Sequence, residues 1–168
     1  MFRNNAGMKV GLAFVGLLVL AGCSKSEKPD LLSQSTVNNA TQVAPGSERD
    51  FIVNVGDRIY FLVDQTDLTP EGMETLQRQA QWLNQYPNVS IQVEGHADER
   101  GTREYNIALS ARRSTATREF LISQGVSAER IATLAYGKER PVALCDAESC
   151  WAQNRRAVTA ITGGASPG

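Results

Sequence analysis

From Arg49 onward the apolar residues switch period several times, and this constrains the fold more than any other feature of the chain. Phe51, Val53 and Val55 recur at every second position, and after Gly56-Asp57 so do Ile59, Phe61 and Val63. Period two is the signature of strands. Thr69-Pro70 then opens a helix, with Thr as N-cap, Pro at the first helical position and Glu71 in the first turn. Met73, Leu76, Ala80 and Leu83 form its expected apolar stripe, and Tyr86-Pro87 ends it. Val89, Ile91 and Val93 return to period two. A second helix is expected from Glu104 to Gln124, stopped by Gly125. Ile131 to Ala135 and Arg156 to Ile161 read as further short strands, separated by a loop holding Pro141 and two cysteines. The order βαβαββ predicts an α/β sandwich. Residues 49–162, roughly 115 of them, are enough for one hydrophobic core, and residues 163–168 read as a disordered tail.

The first 48 residues carry different signals. Arg3 and Lys9 precede an apolar run from Val10 to Ala21, too short for a membrane-spanning helix, which needs about 20 apolar residues. Charged start, short apolar run and small residues make residues 1–22 a secretory signal. The end, Leu20-Ala21-Gly22-Cys23, resembles a bacterial lipoprotein box, which implies cleavage before Cys23 and acylation of that cysteine. Each buried lipid CH₂ contributes roughly 0.8 kcal/mol, so several acyl chains anchor effectively permanently. An ordinary signal peptide followed by an accidental cysteine is the alternative. Ser24 in place of Asp favours, by the same analogy, the periplasmic face of the outer membrane. Residues 23–48 are rich in Ser, Thr, Asn and Gln, show no sustained period, and read as a lipidated cysteine followed by a flexible linker.

Charge excludes one class of partner. The chain of 168 residues has 17 basic and 18 acidic side chains. Removing Arg3 and Lys9 with the leader leaves a formal charge of −3. Without a basic excess, no nucleic-acid partner is expected. One histidine and three cysteines leave little material for a metal centre, and three or four zinc ligands at suitable spacing are missing, so no metal or cofactor is expected. Cys145 and Cys150 lie close together in an exported chain, which predicts a disulfide clipping their loop; two free thiols are the alternative. Their spacing is not C-x-x-C, so a redox role has no support.

The informative stretch is Glu94-Gly95-His96-Ala97-Asp98-Glu99-Arg100-Gly101-Thr102, leading from a strand into the second helix. With Leu109 at zero on a helical wheel, Ala116, Phe120 and Tyr105 fall within about 40° and form the expected core stripe. Arg113 falls near about +40° and Asn106 near about +60°, on its shoulder, while Arg118 falls opposite and is expected in solvent. An Arg beside an apolar stripe needs partners, because a lone buried charge costs several kcal/mol. Asp98 and Glu99 are the nearby acids. Asp98 and Arg113 then form either a structural ion pair or a clamp held open across a cleft. Such a clamp suits the zwitterionic end of an amino acid, with Asp for the ammonium and Arg for the carboxylate.

Gly95 to Thr102, Tyr105-Asn106, Leu109-Ser110 and Arg113 together resemble the OmpA-like peptidoglycan-binding domain. Tyr136-Gly137-Lys138-Glu139-Arg140-Pro141 and Asn154-Arg155-Arg156 are similar to its Pal branch. The resemblance runs from Ile59 to Ile161. It implies helices packed on one mixed sheet and a non-catalytic site for the meso-diaminopimelate of the peptidoglycan stem peptide. Asp98 would take the ammonium and Arg113 the carboxylate. Asn106 and Leu109 match the helix motif beside them, Arg100, Gly101 and Thr102 match the loop around the ligand, and Asp64 matches a further acid. The resemblance also implies TolB and other Tol–Pal components as partners, and a tether between outer membrane and wall that serves cell division. Ser114, Thr117 and Val63 depart from the family's usual residues.

The other residues have plainer readings. His96 is expected to be a hydrogen-bonded structural residue. Trp82 and Trp151 are expected to anchor core and loop, and Arg155-Arg156 to pair with acids of the sheet. Two other functions stay open: a wall hydrolase using Asp98, Glu99 and His96 as acid–base groups, and an OmpA-like lipoprotein of another envelope assembly. Against the hydrolase, no nucleophile elbow or Cys–His arrangement is visible.

Overall fold

Residues 43–168 are described by a computed structural model. The expected leader, Cys23 and most of the linker lie outside these residues. A short helix α1 (Glu48–Asp50) runs into a wide helical turn, Phe51–Val55, and then strand β1 (Arg58–Tyr60). Helix α2 (Pro70–Gln85), strand β2 (Ser90–Gly95), helix α3 (Arg103–Ser123) and strand β3 (Ile131–Ala135) follow. Helix α4 (Glu148–Asn154) precedes the last strand, β4 (Arg156–Gly163). The sheet order is β1-β4-β2-β3. β2 and β3 run parallel across α3, and β4 is antiparallel to both β1 and β2. The sheet is therefore mixed, and the architecture is the expected α/β sandwich.

Local chemistry explains the two long helices. Thr69 caps α2, its hydroxyl accepting from Gly72 N at 3.0 Å, and Pro70 begins the helix. Thr102 caps α3 in the same way, and Gly125 (φ 91°) follows its end. Along β2, Ile91 and Val93 are buried while Ser90, Gln92 and Glu94 are half-exposed, so the helices cover one face. Leu76 and Leu83 of α2, Leu121 of α3 and Phe51 pack on Ile59, Ile91, Val93 and Ile131. Each such fully buried side chain contributes about 2 kcal/mol.

Several expectations are corrected. Phe51, Val53 and Val55 do not form a strand. Ser47 caps α1 by accepting from Asp50 N, and the Asp50 carboxylate accepts from Gly46 N and Trp82 Nε1, both at 2.9 Å. These bonds wind the segment into helix, burying Phe51 and leaving Val53 exposed. β1 ends at Tyr60, so Val63 lies beyond it and is also exposed. Met73 is 36% exposed, and Gly72 takes its place on the buried face of α2. Residues 44–47, read as linker, and the tail 163–168, read as loose, hold each other: Ser166 N donates to Gly46 O at 3.0 Å. The loop expected before β4 contains α4.

The buried face of α3 is also rotated from its expected place. Asn106, Ser110, Arg113, Ser114 and Thr117 are buried, while Tyr105 is 43% exposed and Ala116 only half-buried. Its polar groups are matched locally: Ser110 Oγ accepts from Gly137 N, and Thr117 donates to Arg113 O. Arg118 is not free in solvent. It donates to Ile131 O at 3.2 Å and Ala128 O at 3.3 Å, holding the turn before β3.

Candidate functional site

A cleft forms where β2 hands over to α3. A Cβ on Gly95, the last residue of β2, would meet Ser110 O at 1.9 Å, so only glycine lets α3 lie this close to the strand end. The loop that follows is fixed from three sides. Asn106 Nδ2 donates to Arg100 O at 2.8 Å. Lys138 Nζ donates to Glu99 O at 3.0 Å and Gly101 O at 2.8 Å. Thr102 accepts from Tyr105 N at 3.2 Å. Across the cleft, the turn after β1 presents Asp64 with φ 56°, and Tyr105 donates its hydroxyl to that carboxylate.

The cleft holds about 350 Å³ and is lined by Asp64, Asp98, Arg100, Gly101, Asn106, Leu109 and Arg113, together with Val63, Tyr105 and Arg155. It thus gathers seven of the eight residues expected to bind ligand. Thr102 is absent from the lining and acts as the cap of α3.

Arg113 is fully buried and reaches no carboxylate among the described residues. Its guanidinium donates to Gln65 O at 2.9 Å, His96 O at 2.9 Å and Leu62 O at 3.1 Å, and lies 5.0 Å from the Phe61 ring centroid. A guanidinium has five N–H groups, so two are left without an acceptor among the described residues. Burial pushes its pKa down to about 10, with the positive charge of Arg155 adding to the effect. It remains a cation at neutral pH.

Asp98 is held by other residues. Arg100 Nη2 donates to its carboxylate at 2.5 Å and Arg155 Nη1 at 3.2 Å. Burial disfavours its charge, but these hydrogen bonds outweigh that and hold the carboxyl below its usual range. The direct Asp98–Arg113 ion pair is therefore not formed; acid and base stand apart, both on the cleft wall.

Sequence reasoning missed Arg155 and Tyr105 as cleft residues. Arg155 was expected to meet acids of the sheet, yet its acids are Asp98 in the loop and Glu148 on α4. The available signal is the surplus of Arg over nearby Asp, because a buried cation at the end of α4 needs an acid. Tyr105 was assigned to the core by helical spacing alone.

His96 is buried but not hydrogen-bonded through its ring, because both ring nitrogens lack a partner among the described residues. It stacks on Tyr136 with centroids 5.3 Å apart. Burial, then the charges of Arg156 and Arg140, push its pKa down to about 4. Trp82 packs between Phe51 and Tyr86 in the core. Trp151 donates to Glu99 at 2.8 Å, and Arg100 lies over its ring. A disulfide joins Cys145 and Cys150. Among the described residues no group of side chains could hold a metal ion.

The chain is similar to known proteins in sequence and fold. The chain matches the OmpA family over residues 60–155. It is 57% identical over 162 residues to the peptidoglycan-associated lipoprotein of Agrobacterium fabrum, covering 96% of this chain and 89% of that one. It is 36% identical over 156 residues to that of Haemophilus influenzae, covering 93% and 99%. The crystal structure of the peptidoglycan-associated lipoprotein from Burkholderia pseudomallei superposes with TM-score 0.65 at 36% identity, over 69% of this chain and 100% of that one. The C-terminal domain of Helicobacter pylori MotB, 23% identical, shares the fold with TM-score 0.60 over 64% and 84%. The family match runs from β1 to the residue before β4 and includes every residue of the cleft, so this chain belongs to the OmpA family, among its peptidoglycan-associated lipoproteins.

Proposed function

We propose that the cleft binds the meso-diaminopimelate residue of the peptidoglycan stem peptide without covalent chemistry. The carrying observation is Arg113: a fully buried cation on the cleft wall, held by three backbone carbonyls and paired with no carboxylate among the described residues. A ligand carboxylate completes it. The ligand's ammonium joins Asp98 on the side where Arg100 contacts are long, 3.2 and 3.3 Å, and Asp64 adds a second negative charge. Asn106 keeps the loop in place, Leu109 supplies apolar contact, and Arg100 and Gly101 border the ligand.

The chain acts as a binder and not as a hydrolase. Asp98 is committed to two guanidiniums, the Glu99 carboxylate to Trp151, and the His96 ring is buried outside the cleft lining. Asp98 meets the ligand as an ion, and neither Glu99 nor His96 is placed to act with it in proton transfer. With Cys23 acylated in the outer membrane and the domain on the wall, the chain is a tether at the periplasmic face, working with TolB and the other Tol–Pal components.

Pelleting with purified sacculi tests this. The protein is expected to sediment with sacculi, to release no soluble muropeptides, and to be displaced by free meso-diaminopimelate. Muropeptide release, or pelleting indifferent to diaminopimelate, overturns the reading. The Cys23→Ser protein is expected to leave the outer-membrane fraction, and its retention there overturns the anchor.

A further inference from the structure

Helix α4 does not line the cleft, yet two of its side chains hold two of the cleft's three cations. Trp151 Nε1 donates to Glu99 Oε1 at 2.8 Å, and the Arg100 guanidinium carbon lies 4.2 Å from the Trp151 ring centroid. Glu148 pairs with Arg155. Arg100 and Arg155 are the two groups on Asp98. The Cys145–Cys150 disulfide closes a ring that contains Glu148 and ends one residue before Trp151. Asn154, at the other end of α4, accepts from Val142 N at 2.8 Å and donates to Ala143 O at 2.8 Å. The helix is thus fastened at both ends.

We propose that α4 is a positioning element for the cleft: Trp151 and Glu148 hold Arg100 and Arg155 on Asp98, and the disulfide holds α4. The identity of the ligand rests on the function proposed above; the positioning does not. The Arg100 side chain is 39% exposed, and an exposed ion pair alone pays most of its Coulomb gain in lost side-chain freedom. A planar guanidinium stacked on indole has already lost that freedom, so Trp151 fixes Arg100 before any ligand arrives. Arg155 is 5% exposed and is shared between Asp98 and Glu148, which keeps two opposed carboxylates on one buried cation. Trp151 and Glu148 are therefore positioning residues, acting on the ligand only through Arg100, Arg155 and Asp98.

The charge on Asp98 reports this directly. Arg100 holds it from its own loop and Arg155 from the end of α4, Arg113 and Asp64 share the cleft wall with it, and Glu99 and Glu148 bear on it through Arg100. Loosening Arg100 removes a cation from that set without touching the others.

Two measurements on the folded protein test the proposal. In ligand-free protein, carboxyl-carbon NMR follows the titration of Asp98 in wild type, Trp151→Leu, Trp151→Phe and the Cys145→Ser/Cys150→Ser double variant. The Asp98 midpoint is expected to rise by roughly half a pH unit in Trp151→Leu, to stay near wild type in Trp151→Phe, which keeps the stacking face, and to rise less in the double variant. Binding of a diaminopimelate-containing stem tripeptide is expected to weaken roughly 3- to 10-fold in Trp151→Leu. An unmoved Asp98 midpoint in folded Trp151→Leu, or in the double variant should Trp151→Leu not fold, overturns the positioning role. A shifted midpoint alongside a wild type that binds no tripeptide supports the positioning role and overturns the ligand.

Discussion

Replacing Asp98 with Asn removes one charge and almost no volume, and the structure says where the cost falls. Arg155 is 5% exposed and loses one of its two carboxylates; Arg113, fully buried, loses the stronger of its favourable charges. Removing one partner of a buried ion pair costs about 3–5 kcal/mol. Glu148 still pairs with Arg155, and the Asn oxygen still accepts a hydrogen bond, which brings the loss to about 2–3 kcal/mol. The half-exposed Arg100 contact adds about 1 kcal/mol or less. The expected total is about 3 kcal/mol at pH 7, or a melting temperature lower by about 10 °C.

The pH dependence separates this from a packing effect. The folded protein holds the Asp98 carboxyl below its ordinary value of 3.8, so the stabilisation is complete above the unfolded value and is lost as pH falls through the folded one. Urea unfolding of both proteins from pH 7 downward is expected to show a gap that closes as wild-type Asp98 is protonated. A gap of constant size throughout, or none at pH 7, refutes the reasoning.

Other perturbations follow from the same geometry. Gly95→Ala places a Cβ 1.9 Å from Ser110 O, and the forced separation of α3 from β2 is expected to cost about 1–3 kcal/mol in chemical denaturation; a stability equal to wild type contradicts the close approach. His96 has a folded pKa of about 4 against an ordinary 6.5, so it stabilises fully above pH 6.5 and progressively less as pH falls toward 4. That window is on the order of 3 kcal/mol, and His96→Phe is expected to flatten the stability profile across it; an unchanged profile places the titration elsewhere.

Much of the fold was legible because capping and period agreed. Thr69-Pro70 and Gly125 mark helix ends by chemistry that tertiary contacts do not override, and β2 alternates cleanly because one of its faces is covered. The segment Phe51–Val55 departs from the expected strand because its fold is decided from outside it: the bond from Trp82 Nε1 to Asp50 spans 32 residues. The α3 face differs from the expected one because Asn106, Ser110, Arg113, Ser114 and Thr117 on its buried side are polar, and an apolar stripe locates only apolar faces. Asp98 and Arg113 were recognisable as a pair of opposite charges beside a helix start. Their partners were not, because Arg113 is held by carbonyls of Leu62, Gln65 and His96, and backbone acceptors leave no mark in side-chain identity. Helix α4 was hidden by its length of seven residues and the disulfide across its start.

Isothermal titration of a diaminopimelate-containing muropeptide into acyl-free protein, beside the Arg113→Lys variant, bears most directly on the cleft. The lysine keeps a charge but loses the planar fork that serves three carbonyls and a ligand carboxylate together. Saturable one-to-one binding by wild type, weakened at least tenfold in a folded Arg113→Lys protein, is the expected result. Absence of saturable heat with wild type, or equal affinity in the variant, contradicts the account.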